Sequence, residues 1–267
     1  MLFTFTIRNR NLDIVFRSWY NISISAEKSE KASLDAKVRF GKFAVDYLFA
    51  PGGNMSTRFI IVRHGQSLGN AKHIFLGHTD WDLSELGYRQ AECTAAALSD
   101  RQIDAVYSSD LMRAYNTVLP SATRRGLSVI PERGLREENV GDWEGKRVEE
   151  IIETYGELFT VDWIEKFGTF CPPNGESIPA LGERIMDTLS RIGDENPGKT
   201  ILIGCHAAAI RSFWGRAVGI APEKLAEALP FPDNASYSEI DYEDGVFTPI
   251  SYSESEHLHE LITPITF

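Results

Sequence analysis

Two stretches of this chain are unbroken apolar runs, and both stop abruptly at polar residues. Phe59 to Val62 is a β-branched and aromatic run, and Thr200 to Gly204 is a second. Each reads as a strand buried in a sheet. Between and around them the pattern changes to helical spacing. From Ser84 to Ser99 a capping serine precedes a stripe of Leu86, Gln90, Ala91, Thr94 and Leu98. A second helix is expected over Leu111 to Arg125, closed by Gly126 beyond its C-terminus. Shorter helical patterns cover Val148 to Tyr155 and Ser177 to Ile192, where Pro197-Gly198 ends the run, and another helix begins near Ala207. Asp104 to Ser108, Leu127 to Pro131, Ala235 to Ile240 and Val246 to Tyr252 complete the strands. Glu132 to Gly182 is irregular apart from its helices and rich in Trp, Gly and Pro. Strands that alternate with helices predict an α/β fold, a three-layer α/β/α sandwich with a mostly parallel central sheet.

Composition narrows the class. With 267 residues, 43% hydrophobic and 24% charged, the chain suits one large domain with an appendage. No apolar run approaches the roughly 20 residues that cross a bilayer, and Met1 to Ile7 lacks the form of a secretory signal, so no membrane role is expected. Cys93, Cys171 and Cys205 are odd in number and widely spaced. They argue against a disulfide framework or structural zinc and favour a reducing, cytoplasmic setting. A net charge of −11 argues against non-specific binding to nucleic acid.

Residues 1–54 stand apart. They carry a surplus of basic side chains, whereas the remainder is strongly acidic, and Pro51-Gly52-Gly53-Asn54 marks the change just before Met55. Residues 2–7 and Leu12 to Ser25 suggest a hairpin turning at Arg8 to Asn11, and Ala26 to Ala50 reads as more helical. The segment holds no chemical motif. It is expected to be an N-terminal extension of unassigned role: an accessory unit, a disordered tail or a product of an upstream start codon. The main domain is expected over 55–267.

The chemistry sits where the strands stop. The first apolar run leads into Arg63-His64-Gly65, and the later one into Cys205-His206-Ala207. In an α/β sheet the crevice opens at the carboxyl ends of the strands, so two such ends can bring two imidazoles together. The second strand leads into Ser108-Ser109-Asp110, the expected cap of a helix whose first turn carries Arg113. A helix N-terminus and a guanidinium both suit an anion. After the third strand come Glu137, Glu138, Asp142 and Glu144. Any of the four carboxyl groups qualifies as a general acid, and spacing alone does not choose between them.

Arg63-His64-Gly65, Ser109-Asp110-Leu111-x-Arg113-Ala114, Leu135-Arg136-Glu137 with Gly141-x-Trp143-Glu144-Gly145, and Gly175-Glu176-Ser177 together resemble the histidine phosphatase superfamily, also called phosphoglycerate mutase-like. The resemblance runs from about Ser56 to the C-terminal end and leaves residues 1–54 unexplained. It implies that His64 is the nucleophile that becomes phosphohistidine, that Arg63, Arg113 and His206 hold the phosphate oxygens, and that Glu137 is the proton donor. It further implies substrate contacts from Gln66, Ser67, Asn70, Leu76, Gly77 and Ala207, with no metal and no cofactor. The family usually has glycine directly after the second histidine, where this chain has Ala207. Cys205 replaces a small hydroxyl residue and reads as packing rather than as a nucleophile.

The resemblance favours a metal-independent phosphomonoester hydrolase acting on a small-molecule substrate, as a monomer or a homodimer. His206 follows His64 by 142 residues, shorter than in the family's mutases. A cofactor-dependent phosphoglycerate mutase is the first alternative, and a non-catalytic phospholigand-binding regulator the second. Substrate choice is expected from Phe159 to Ser177 and from the loop after Gly77. Trp163, Phe167, Phe170 and Pro172-Pro173 form either an apolar lid or simply core.

Overall fold

A computed structural model describes residues 4–9, 12–17 and 56–263. It divides into two units, residues 1–50 and residues 51–267. In the first, strands β1 (Thr4–Asn9) and β2 (Leu12–Arg17) pair antiparallel, with Thr4 opposite Arg17 and Asn9 opposite Leu12. The helical pattern of residues 26–50 lies outside the described residues.

The second unit is built on six strands: β3 (Thr57–Arg63), β4 (Ala105–Ser108), β5 (Val129–Pro131), β6 (Thr200–Cys205), β7 (Tyr237–Glu243) and β8 (Val246–Glu254). Their order across the sheet is β5-β4-β6-β3-β7-β8. The first four are parallel, and β7 and β8 add an antiparallel edge. The fold is the mixed α/β sandwich that the alternating pattern predicts. β7 starts two residues later than expected because Ala235, at φ 58°, still belongs to the turn before it.

The helices are α1 (Leu68–Ala71), α2 (Glu85–Ala97), α3 (Met112–Thr123), α4 (Val148–Tyr155), α5 (Ile178–Asp194), α6 (Ala207–Ala217) and α7 (Leu225–Ala228). Side chains of a strand alternate between faces, and the two halves of each apolar run serve two cores. Ile60, Val62 and Leu202 pack with Leu98, Val118 and Ala122 under α2 and α3. Phe59, Ile61, Ile201 and Ile203 pack with Ile185, Leu189 and Phe213 under α5 and α6. Both strands are thus buried on both faces, which explains why they carry no polar alternation.

β3 and β6 lie side by side, with Arg63 opposite Cys205. The chain leaving β3 crosses past β6 to β4, while the chain leaving β6 crosses past β3 to β7. Connections that diverge in this way open a crevice at the strand ends. No helix among the described residues is long and apolar enough to cross a membrane.

Candidate active site

His64 leaves β3 with its backbone tied to both neighbours: its N–H donates to the Cys205 carbonyl at 2.9 Å, and its own carbonyl accepts from Asn234 Nδ2 at 3.0 Å. Its ring Nδ1 lies 2.7 Å from the Gly65 carbonyl oxygen. A carbonyl only accepts, so Nδ1 carries the proton and Nε2 holds the free lone pair. Burial, reinforced by Arg113 and then Arg63, holds the ring's pKa well below the usual histidine range. The imidazole is therefore neutral at physiological pH, as a nucleophile must be.

Gly65 earns its place by packing. A Cβ there would come within 2.7 Å of the Gly87 carbonyl in the first turn of α2. Two backbones are in near contact here, and no side chain between them could give way.

The two arginines are unusual for being buried with no direct ion pair among the described residues, although the charge of Glu137 reaches both. Arg63 is 4% exposed, and its Nη1 donates to the Pro232 carbonyl at 2.6 Å, while its Nε has no partner. Arg113 is 2% exposed and donates to the carbonyls of Gly77 at 2.7 Å and Thr79 at 3.0 Å. Burial lowers both to about 10, so both remain cationic at neutral pH. An uncompensated buried cation costs several kcal/mol, and an anionic ligand is what offsets that cost.

The support of Arg113 comes from a loop rather than from its own helix. Met112 N–H donates to Asp80 Oδ1 at 2.7 Å, so the cap expected from Ser109 and Asp110 is supplied by a residue distant in sequence. Asp110 instead binds Arg136. Glu144 fixes the loop by accepting from the N–H groups of His78 and Thr79 and from the Thr79 hydroxyl, at 2.8 to 2.9 Å. Gly77, at φ 49°, makes room for that carboxylate.

Of the four candidate acids, the geometry separates the roles. Glu144 clamps the loop, and Asp142 pairs with Asn174 at the surface. Glu137 lines the crevice and accepts from the Ala209 N–H at 2.9 Å and the Ala208 N–H at 3.2 Å, at the start of α6. Its backbone carbonyl is held by His78 Nε2 at 2.9 Å and Arg184 Nη2 at 3.0 Å. Arg184 also binds Glu176 through Nε at 2.8 Å and Nη2 at 2.7 Å, which gives the Gly175-Glu176-Ser177 motif a positioning job. Glu138 is 1% exposed, and its carboxyl is pushed well above the usual range, by burial first and then by Glu137.

His206 is fully buried behind this wall, its ring centroid 5.2 Å from that of His64. Among the described residues, neither of its ring nitrogens has a hydrogen-bond partner. Burial, then Arg113 and His64, depress its pKa well below the usual value, so it too is neutral. Such a ring has hydrogen-bonding capacity to spare for an oxyanion. Cys205 beside it is inert: burial pushes its thiol up to about 12, and Sγ points to the Leu135 carbonyl at 3.6 Å.

The crevice has an empty volume of ≈ 630 Å³ and brings together Arg63, His64, Ser67, Asn70, Leu76, Gly77, Arg113, Glu137 and Ala207. Gln66 is not on its wall. The Gln66 side chain is turned to α2, where its Oε1 accepts from the Ser84 hydroxyl at 2.7 Å. Ser67 and Asn70 bond each other in a capping box that opens α1. Trp163, at the end of a π-helical turn (Leu158–Trp163), lines the crevice, whereas Phe167 and Phe170 are core. Phe75 and Phe231, which also line it, and Asn234 and Arg184 were not singled out from sequence.

A profile of the histidine phosphatase superfamily (branch 1) matches residues 59–255. The chain belongs to the histidine phosphatase superfamily. Within that superfamily it is 35% identical over 181 residues to phosphoglycerate mutase-like protein 4 of Arabidopsis thaliana, covering 67% of this chain and 75% of the relative. It is 34% identical over 188 residues to phosphoserine phosphatase 1 of Hydrogenobacter thermophilus, covering 70% and 87%. Among solved structures, a mycobacterial glucosyl-3-phosphoglycerate phosphatase in complex with VO3 superposes with a TM-score of 0.69 at 28% identity, covering 74% of this chain and 99% of that one. The superfamily thus includes relatives named as phosphatases and relatives named after the mutase.

Proposed function

We propose that the protein is a phosphomonoesterase that works through a phosphohistidine on His64. The observation that carries this is the pairing of a neutral, tautomer-fixed imidazole with two buried guanidinium groups that form no direct ion pair among the described residues. Phosphoryl transfer spreads negative charge over the transferred oxygens, and preorganised donors stabilise it. Arg63, Arg113 and His206 supply those donors from residues already fixed by the fold.

In the first step Nε2 of His64 attacks phosphorus, and the ester P–O bond breaks. Glu137 gives its proton to the departing alkoxide, which is otherwise a poor leaving group. In the second step water attacks the phosphohistidine while the Glu137 carboxylate takes a proton from it. The P–N bond breaks, and inorganic phosphate and neutral His64 return. The substrate class is a small phosphomonoester, in keeping with the phosphoserine and glucosyl-3-phosphoglycerate phosphatases among the relatives. A cytoplasmic location fits such a substrate, and so does the absence of a disulfide among the three cysteines.

The test is rapid quenching of the protein with a ³²P-labelled phosphomonoester. Acid-labile label on His64, lost in His64→Ala, is the expected result. No label and no turnover across a broad panel would overturn the proposal. Transfer of the label to monophosphoglycerate instead of water would mark a mutase.

A further inference from the structure

Away from the two arginines the crevice wall is formed by Ile74, Phe75, Val140, Trp163 and Phe231, all apolar or aromatic. Ser67 and Asn70, which also line it, bond each other through the Ser67 hydroxyl and Asn70 Oδ1, and Asn70 keeps its Nδ2 donors for a phosphate. Glu138 breaks this pattern. It lies on the same wall beside the Trp163 indole, is 1% exposed, and its Oε1 has no hydrogen-bond partner among the described residues. The proposed transfer leaves it without a role, since Glu137 alone meets the leaving oxygen. A carboxyl group placed only for packing would be expected to have both oxygens satisfied, as buried polar groups generally are. An acceptor left unpaired on a binding wall discriminates between ligands, because it is satisfied only by those that bring a donor.

We propose that Glu138 is a specificity-determining residue that selects phosphomonoesters whose alcohol carries a hydrogen-bond donor, a hydroxyl or an ammonium, within a few bonds of the ester oxygen. This inference rests on the phosphatase reading of the crevice. The neutral acid favoured by burial accepts from a hydroxyl through Oε1, and an ammonium group draws out the ionised form.

The experiment compares kcat/KM for propyl phosphate, 3-hydroxypropyl phosphate and 3-aminopropyl phosphate. In the wild type at least one substituted ester is expected to exceed propyl phosphate by about tenfold or more. Glu138→Met and Glu138→Leu are expected to bring that ratio to within about twofold of one, and using both guards against one variant misfolding. Glu138→Gln distinguishes the donors: it retains a preference for hydroxyl and loses a preference for ammonium. A wild-type ratio near one for both esters, or a preference that survives the apolar variants, overturns the inference while leaving the phosphatase reading intact. No hydrolysis of any ester and no label on His64 removes the phosphatase reading, and this inference with it.

Discussion

Arg136 grips Asp110 through two hydrogen bonds of 2.6 Å, from Nε to Oδ1 and from Nη2 to Oδ2. One partner immediately precedes Glu137, and the other stands just before α3, which carries Arg113. The fork therefore sets the distance between Glu137 and Arg113, the proposed proton donor and one of the proposed phosphate ligands. Arg136→Lys keeps the charge and loses the paired geometry. Expected is a loss of about tenfold in kcat/KM, with stability lowered by about 1 kcal/mol or less. Steady-state kinetics beside urea denaturation would check this, and a stability loss with unchanged kinetics would make the pair purely structural.

His64 and His206 are expected to stay neutral well below pH 6.5, for the burial and cationic neighbours already described. Neither ring should show a titration centred near pH 6.5 in the free protein by NMR. The unfolded chain does take up these protons near pH 6.5 and the native state does not. Stability from both groups is thus fully present above that pH and falls as pH drops through it. A histidine signal from either ring with a midpoint near 6.5 would contradict this.

Glu138 has the opposite linkage. In the native state it holds its proton to a pH well above that of the unfolded chain, which ionises above about pH 4.5. Its contribution is complete below that pH and is lost as pH rises toward the native pKa, at most about 1.4 kcal/mol per unit. Glu138→Gln cannot ionise. Its Tm advantage over the wild type should widen from pH 5 to pH 8, and a constant difference would show that Glu138 ionises normally in place.

Arg211 is 3% exposed, lies 4.1 Å from the Phe231 ring centroid and 4.5 Å from that of Phe167, and donates to the carbonyls of Leu229 and Ala226. It holds the segment that carries Phe231 to the crevice. Arg211→Lys offers a single ammonium in place of the planar fork, so a loss of about 2–3 kcal/mol is expected in denaturant titrations. A change under about 0.5 kcal/mol would show that the carbonyls find other donors.

Gly65→Ala should destabilise by about 2 kcal/mol or more, since the added methyl meets the Gly87 backbone rather than a side chain that could swing away. Thermal melts would detect it. A neutral effect would mean that α2 can retreat without cost.

The strand ends were legible because a strand buried on both faces must be an unbroken apolar run, and β3 and β6 announce themselves that way. α4 was read at Val148 to Tyr155 as found, and Ser84 and Ser177 cap their helices as their sequence suggests. What lay beyond reach depends on residues remote in sequence. Asp80 caps α3, Arg184 holds the Glu137 carbonyl from the middle of α5, and Gly65 answers to Gly87. Local patterns carry no trace of such partners. Gln66 was grouped with the substrate contacts by its place in a motif, while its side chain was claimed by Ser84. Spacing left the four acids after β5 equal; the resemblance alone pointed to Glu137, and the amides at the start of α6 show what holds it at the crevice.

The pairing of Arg63 with Cys205 has a consequence for synthesis. β3 emerges from the ribosome about 140 residues before the central strand it must pair with, a wait of roughly 10–30 s at ordinary translation rates. Throughout that interval Phe59 to Val62 is an apolar strand with an open edge, the kind of segment on which nascent chains aggregate. The crevice cannot form before the last third of the chain is made. The nonlocal closure that brings His64 beside His206 is of the kind that folds slowly, and protection of the incomplete chain is the expected consequence.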